Sequence, residues 1–212
     1  MGRIAVLAGT NGAGKSSIAG ARLRQTGGAW FDPDEATRRI LAANPGMDLA
    51  QANGAAWSES IRRLRHAIDT NTDYVFETTL GGRTVTSLLH EAANAGMALW
   101  IWYCGLDSPE RHLARIRSRV AHGGHDIPEQ RVRERYDASR KNLIRLLPDA
   151  TVMRVYDNSA QADPKTGRAP EPAPVLHLAQ GRLAYPCTPA QLASTPAWAK
   201  PIVASAWQRV RR

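Results

Sequence analysis

Short apolar runs separated by longer amphipathic stretches set the pattern of this chain. Residues 3–8 are mostly aliphatic and predict a buried strand, and 29–31, 74–76, 98–103 and 151–156 repeat the theme. Between them lie helical periodicities. Ile18, Ala19, Arg22 and Leu23 recur at helical spacing over 15–26, and Ile61, Leu64, Arg65 and Ile68 do so over 50–71. Further helices are predicted at 35–43, 84–95, 109–120 and 128–147. The punctuation agrees. Asp32-Pro33-Asp34 and Ser108-Pro109-Glu110 are helix starts, Asn44-Pro45-Gly46 and Gly96 are stops, and Gly123-Gly124 marks a loop. Strands alternating with helices imply βαβ units. The expected fold is therefore α/β: a three-layer sandwich with a mostly parallel sheet of five or more strands and helices on both faces.

The pattern changes after Asn158. Residues 160–174 hold four of the thirteen prolines and no periodicity, which predicts a loop or linker. Residues 175–185 read as a hairpin turning at Gln180-Gly181, followed by a proline-broken tail ending in a short helix. The expected organisation is a core over 1–159, with a lid loop at about 121–128, and a segment over 160–212 packed on it.

Composition narrows the class. The chain has 212 residues, 43% hydrophobic and 22% charged, which excludes disordered and fibrous proteins. Two cysteines exclude a disulfide scaffold and a multi-cysteine metal site. The longest apolar run, 97–104, is well short of the ~20 residues of a membrane span. The apolar N-terminal stretch is too short for a signal peptide and runs into a glycine loop. The expectation is a cytoplasmic protein with no membrane association. The net charge of +9 favours anionic partners, and residues 110–145 alone carry ten Arg/Lys against five acids. Most of these arginines read as a solvated helix face, with one or two left to touch phosphate.

Gly9-Thr10-Asn11-Gly12-Ala13-Gly14-Lys15-Ser16 fits G-x-x-x-x-G-K-[ST], the Walker A pattern, between a predicted strand and a predicted helix. Gly12 and Gly14 free the backbone to turn successive N–H groups inward, and the helix aims its positive end at the same point. Lys15 adds a full charge at the β- and γ-phosphates, and the Ser16 hydroxyl suits Mg²⁺. The nucleotide-binding set is Gly9, Asn11, Gly12, Ala13, Gly14, Lys15, Ser16 and Ser17.

A motor ATPase would place an acid after four apolar residues; Tyr74-Val75-Phe76-Glu77 offers three and continues Thr-Thr-Leu. A small-molecule kinase instead needs a carboxylate to take a hydroxyl proton and arginines to neutralise the moving phosphoryl group. Asp32 and Asp34 stand just after the second predicted strand, at the edge where α/β sheets bind ligands. Either can cap the helix that follows or serve as the carboxylate; capping is the better reading for Asp32. A nucleic-acid-stimulated ATPase is the alternative from another class. It would suit the charge, but the six tryptophans are not interleaved with the basic cluster, which argues against nucleic acid as a partner.

With these segments, Phe76-Glu77-Thr78-Thr79-Leu80-Gly81-Gly82-Arg83 and Gly123-Gly124-His125-Asp126-Ile127-Pro128 included, the chain resembles the zeta-toxin family of P-loop kinases over roughly 3–158. The resemblance implies an ATP- or GTP-dependent, Mg²⁺-requiring kinase acting on a hydroxyl of UDP-N-acetylglucosamine or a related nucleotide sugar. It also implies a toxin held in check by a small helical antitoxin. A kinase of some other hydroxylated small molecule is the nearer alternative. Position by position, it implies Asp34 as general base and Glu77, Thr78, Thr79 and Arg83 at the acceptor. It implies Arg119 on the phosphates and Ser16 on the metal. The place of the family's second phosphate arginine holds His125, a departure that leaves His125, Arg131 or Arg135 to supply that charge.

Overall fold

The computed structural model of the protein describes residues 1–15, 30–123, 126–161 and 171–210. Ser16, Ser17, His125 and nearly all of the helix predicted at 15–26 lie outside the described residues. Strands β1 (Arg3–Ala8), β2 (Tyr74–Thr78), β3 (Ala98–Gly105), β4 (Val152–Asp157), β5 (Ala173–Ala179) and β6 (Arg182–Tyr185) form one sheet in the order β2-β1-β3-β4-β5-β6. The first four are parallel, and β5 and β6 join antiparallel. Around the sheet lie α1 (Pro33–Ala43), α2 (Leu49–Thr70), α3 (Arg83–Asn94), α4 (Pro109–Ala121), α5 (Glu129–Arg145), α6 (Pro189–Ala193) and α7 (Lys200–Val210).

Local chemistry sets most of these boundaries. Asp48 and Gln51 form a reciprocal capping box that starts α2, and Asn71 ends it in the left-handed region. Ser108 caps α4 through the Arg111 amide. Gln180 (φ 50°) and Gly181 (φ 74°) turn the β5–β6 hairpin where the sequence places it; two positive φ values match the right-handed twist of paired strands. The strand predicted at 29–31 is reduced, among the described residues, to a single parallel bridge from Phe31 to Phe76. The reason is local: Asp32 already caps α1 and Pro33 is its first residue. Strands β2 and β3 each extend two residues beyond the predicted ends, because Glu77, Thr78, Cys104 and Gly105 stay in register with their neighbours despite their polarity or small size.

The main core lies on one sheet face. Ile4, Val6, Phe76, Leu99, Ile101, Met153 and Val155 alternate onto it and meet Leu64, Leu89, Leu143 and Ile202 from α2, α3, α5 and α7. The C-terminal tail belongs to this core: a Cβ on Gly105 would sit 2.3 Å from the Trp198 ring, so the indole packs where only glycine leaves room. A separate small cluster of Leu113, Ile116, Ile127 and Val132 joins α4 to α5. Among the described residues no helix is long and apolar enough to cross a membrane. Parallel pairing aligns the carboxyl ends of β1, β2, β3 and β4, so the segments after Ala8, Thr78, Gly105 and Asp157 gather at one edge.

Candidate active site

The phosphate loop leaves β1 at Gly9, whose φ is 141° and where an added Cβ would lie 2.2 Å from the Cys104 carbonyl oxygen. Its amide donates to the Thr78 carbonyl at 3.2 Å, joining the loop to the end of β2. Side chains from outside hold the loop's own carbonyls. His112 Nδ1 meets Asn11 O at 2.7 Å, Asn158 Nδ2 donates to Ala13 O at 2.9 Å, and the Cys104 thiol donates to Ala13 O at 3.1 Å. A carbonyl only accepts, so His112 Nδ1 carries the proton, and burial pushes this imidazole down to about 4, leaving it neutral. Burial pushes the Cys104 thiol up to about 12, so it serves as a hydrogen-bond donor and not as a nucleophile.

Lys15 Nζ donates to Gly9 O at 2.8 Å and lies 3.5 Å from Glu77 Oε1. Both side chains are nearly dry, 8% and 11% exposed, so the attraction is little screened. Glu77 reaches this place because the Glu77 amide donates to Phe31 O at 2.9 Å and the residue registers with Leu7 on β1. The same pairing brings the Asp32-Pro33-Asp34 turn to the edge beside Glu77.

The two aspartates divide their roles. Asp32 Oδ1 accepts from the amides of Asp34 (2.9 Å) and Glu35 (3.3 Å) and is spent on capping α1. Asp34 stands in the first turn of α1 with its carboxylate 3.8 Å from Arg119 Nη1, in the last turn of α4. Both side chains keep about two-fifths of their surface open.

The loop after β2 is held from α5. Ser139 Oγ bridges the Thr79 carbonyl (2.7 Å) and the Tyr103 hydroxyl (3.1 Å), and Asn142 Nδ2 donates to Leu80 O at 2.9 Å. These bonds and complete burial of its side chain keep Leu80 at φ 56°, a region disfavoured for a branched residue. Thr78 Oγ1 accepts from the Leu80 amide. Arg83 opens α3, exposed, and Arg131 is exposed on α5. Arg135 Nη1 donates to Asn11 Oδ1 at 2.8 Å. The geometry thus brings Lys15, Glu77, Asp34, Arg119 and Arg135 to one edge; Arg131 and Arg83 border it from the surface.

Sequence reasoning missed the supports of the loop. His112, Asn158, Ser139 and Asn142 match no motif. Asn158 stands just after the last parallel strand, where ligand-side groups are expected, and Ser139 and Asn142 are polar residues three apart on a buried helix face; those signals were present but weak. Arg115 is a further case: its Nη2 donates to Asn158 O at 2.6 Å, and burial holds its pKa below the usual range.

A phosphate loop opening on the carboxyl edge of a parallel sheet, faced by a carboxylate and by lysine and arginine cations, defines a P-loop phosphotransferase. The chain belongs to the zeta toxin family, whose model matches residues 3–163. It is thus a kinase of zeta-toxin type. An uncharacterised protein of Haemophilus influenzae is 31% identical over 128 residues, covering 60% of this chain and 88% of that protein. The AvrRxo1-ORF1:AvrRxo1-ORF2 complex is similar in fold (TM-score 0.66, 16% identity, 99% of this chain and 71% of that one). So is that protein's complex with ATP (TM-score 0.65, 18% identity, 93% and 64%). The PezAT toxin–antitoxin system of Streptococcus pneumoniae contains another similar chain (TM-score 0.55, 16% identity, 99% and 86%).

Proposed function

We propose that this kinase transfers the γ-phosphoryl group of ATP or GTP to a hydroxyl of UDP-N-acetylglucosamine or a related nucleotide sugar. The observation that carries the transfer chemistry is the placement of Asp34. It stands in the first turn of α1, shortly after the Phe31 bridge to β2, and faces Arg119 at 3.8 Å, while Asp32 takes over the capping that would otherwise occupy it.

Asp34 accepts the proton of the acceptor hydroxyl as its oxygen attacks the γ-phosphorus; the bond from that phosphorus to the bridging oxygen breaks, and the nucleoside diphosphate leaves with the electron pair. Lys15 swings from the Gly9 carbonyl and Glu77 to the β- and γ-phosphates. Arg119 leaves Asp34 for the phosphoryl oxygens. Glu77, released from Lys15, accepts hydrogen bonds from acceptor hydroxyls, with Thr78, Thr79 and Arg83 beside it. The donors at this edge are carboxylate and hydroxyl oxygens, which suit a hard cation; Ser16 and the nucleotide phosphates would hold Mg²⁺, which supplies charge neutralisation on the phosphates.

The resemblance of fold to a chain of the PezAT toxin–antitoxin system supports a toxin role with a protein antitoxin as partner. The test is incubation of the purified chain with ATP–Mg²⁺ and UDP-N-acetylglucosamine and, in parallel, with ATP–Mg²⁺ and a cell extract. A mass gain of one phosphate on the sugar nucleotide supports the reading. Phosphorylation of a different extract component, with the sugar nucleotide untouched, rejects this acceptor.

A further inference from the structure

The phosphate loop and the loop after β2 are joined twice, and the second connection runs through the core. The Gly9 amide donates directly to the Thr78 carbonyl at 3.2 Å. The next carbonyl, that of Thr79, is reached by a row of buried hydroxyls. Ser139 Oγ on α5 lies 2.7 Å from the Thr79 carbonyl oxygen and 3.1 Å from the Tyr103 hydroxyl on β3. A carbonyl only accepts, so the one Ser139 hydroxyl proton goes to Thr79. Tyr103 therefore donates to Ser139 Oγ and leaves its lone pairs for Thr10, whose side chain acts on the same hydroxyl from within the phosphate loop. Tyr103 can do this because its register on β3 sets it beside Ala8, at the end of β1. Thr10, Tyr103 and Ser139 are each no more than 2% exposed, so solvent does not replace a missing partner. Burial pushes the Tyr103 hydroxyl up to about 12, and it keeps its proton. Beyond Thr79 the backbone has little slack. Leu80 sits at φ 56°, and Asn142 Nδ2 holds the carbonyls of Leu80 at 2.9 Å and Gly82 at 3.3 Å.

Resting on the reading that Thr78, Thr79 and Arg83 border the acceptor, we propose that Tyr103 is a positioning residue that couples the acceptor loop to nucleotide in the phosphate loop. A triphosphate draws on the loop amides and on Lys15, which donates to Gly9 O in the free site. Gly9 passes the change to the Thr78 carbonyl, and Thr10 passes it through Tyr103 and Ser139 to the Thr79 carbonyl. Two consecutive carbonyls thus answer to the phosphate loop, while Asn142 fixes the next stretch of backbone from the other side. The segment 79–83 settles as one piece when nucleotide arrives, so the acceptor subsite is completed only after the donor is bound.

The test is amide hydrogen exchange of the peptide covering 77–83, read by mass spectrometry with and without saturating ATP–Mg²⁺, for wild type, Y103F and S139A. In wild type, nucleotide slows exchange of this peptide by about fivefold or more. Y103F removes one hydroxyl and keeps the ring. It is expected to cut that slowing to about twofold or less, with ATP affinity by calorimetry within about threefold of wild type. S139A behaves in the same way. A purely structural defect speeds exchange with and without nucleotide alike and leaves their ratio unchanged. An unchanged ratio in a folded Y103F therefore overturns the inference, as does a wild-type peptide that does not respond to nucleotide. Should Y103F fail to fold, S139A decides by the same criterion. The measurement needs no acceptor, so a wild type that leaves the sugar nucleotide untouched counts against the acceptor reading alone.

Discussion

The Asp34 carboxylate and the Arg119 guanidinium face each other at 3.8 Å, one on the first turn of α1 and the other on the last turn of α4. Two half-open charged groups held in this way contribute little to stability, ~0–1 kcal/mol. The pair is better understood as an acid and a cation brought to one place by two separate crossovers of the sheet. Asp34→Asn is expected to keep ATP affinity and lose transfer by about 10²–10⁴-fold, the range of a positioned general base. Asp32→Ala should show the reverse profile: a lost cap costs about 1 kcal/mol and lowers Tm by about 2–4 °C, with transfer kept. Calorimetry and a transfer assay on the two variants separate the roles.

Arg119→Ala is expected to lower turnover by about 10³–10⁵-fold, the range for phosphate-stabilising arginines, with a much smaller change in nucleotide affinity. Lys15→Ala should weaken both. Equal losses in binding and turnover for Arg119→Ala would show that it acts on the ground state only.

Glu77 lies 3.5 Å from Lys15, so a triphosphate drawn to that lysine competes with the carboxylate. Glu77→Gln is therefore expected to tighten ATP binding by a few-fold, about 1 kcal/mol, because a competitor for the lysine is gone. The same change should raise the acceptor KM. Weaker ATP binding in this variant would instead make Glu77 a support for the loop.

His112 gives the fold a pH dependence. Its pKa falls from 6.5 to about 4 on burial, so between these values the unfolded chain binds a proton that the folded chain does not. Stability from this group is fully present above pH 6.5 and is lost as pH falls towards 4, by about 3 kcal/mol in all. His112→Asn, which retains a donor without titrating, should flatten that part of the Tm–pH curve.

Gly9→Ala forces a Cβ to within 2.2 Å of the Cys104 carbonyl at a φ of 141°. The strand end must then separate from β3. The expected result is a Tm drop beyond 5 °C, roughly 2 kcal/mol or more, together with loss of nucleotide binding.

Much of this architecture was legible in the sequence because periodicity and punctuation report local physics. Alternation and β-branching located β1 to β4, and Gln180-Gly181 gave the hairpin. The Walker A spacing located the phosphate loop because few other sequences allow so tight a strand-to-helix turn. The division of labour between Asp32 and Asp34 was half visible: either can cap a helix, and which one does depends on the φ and ψ of a single residue. What could not be read are contacts between distant segments. The Arg135–Asn11 and Asn158–Ala13 bonds join residues more than a hundred positions apart, and no spacing rule connects them. Shortening of the second strand to Phe31 is a boundary effect, decided by where the next helix captured its cap.

The β5–β6 hairpin has a bearing on how this protein behaves in concentrated solution. Without it, β4 would present the unpaired backbone of Val152–Asp157 along the border of the sheet, an open template for a second chain. The antiparallel addition moves that border out to four residues, Arg182 to Tyr185, beginning on a charged side chain and followed at once by Pro186. A chain cut before Ala173 bares this border and also loses Trp198 and Ile202 from the core, and should therefore clump into oligomers and fibrils.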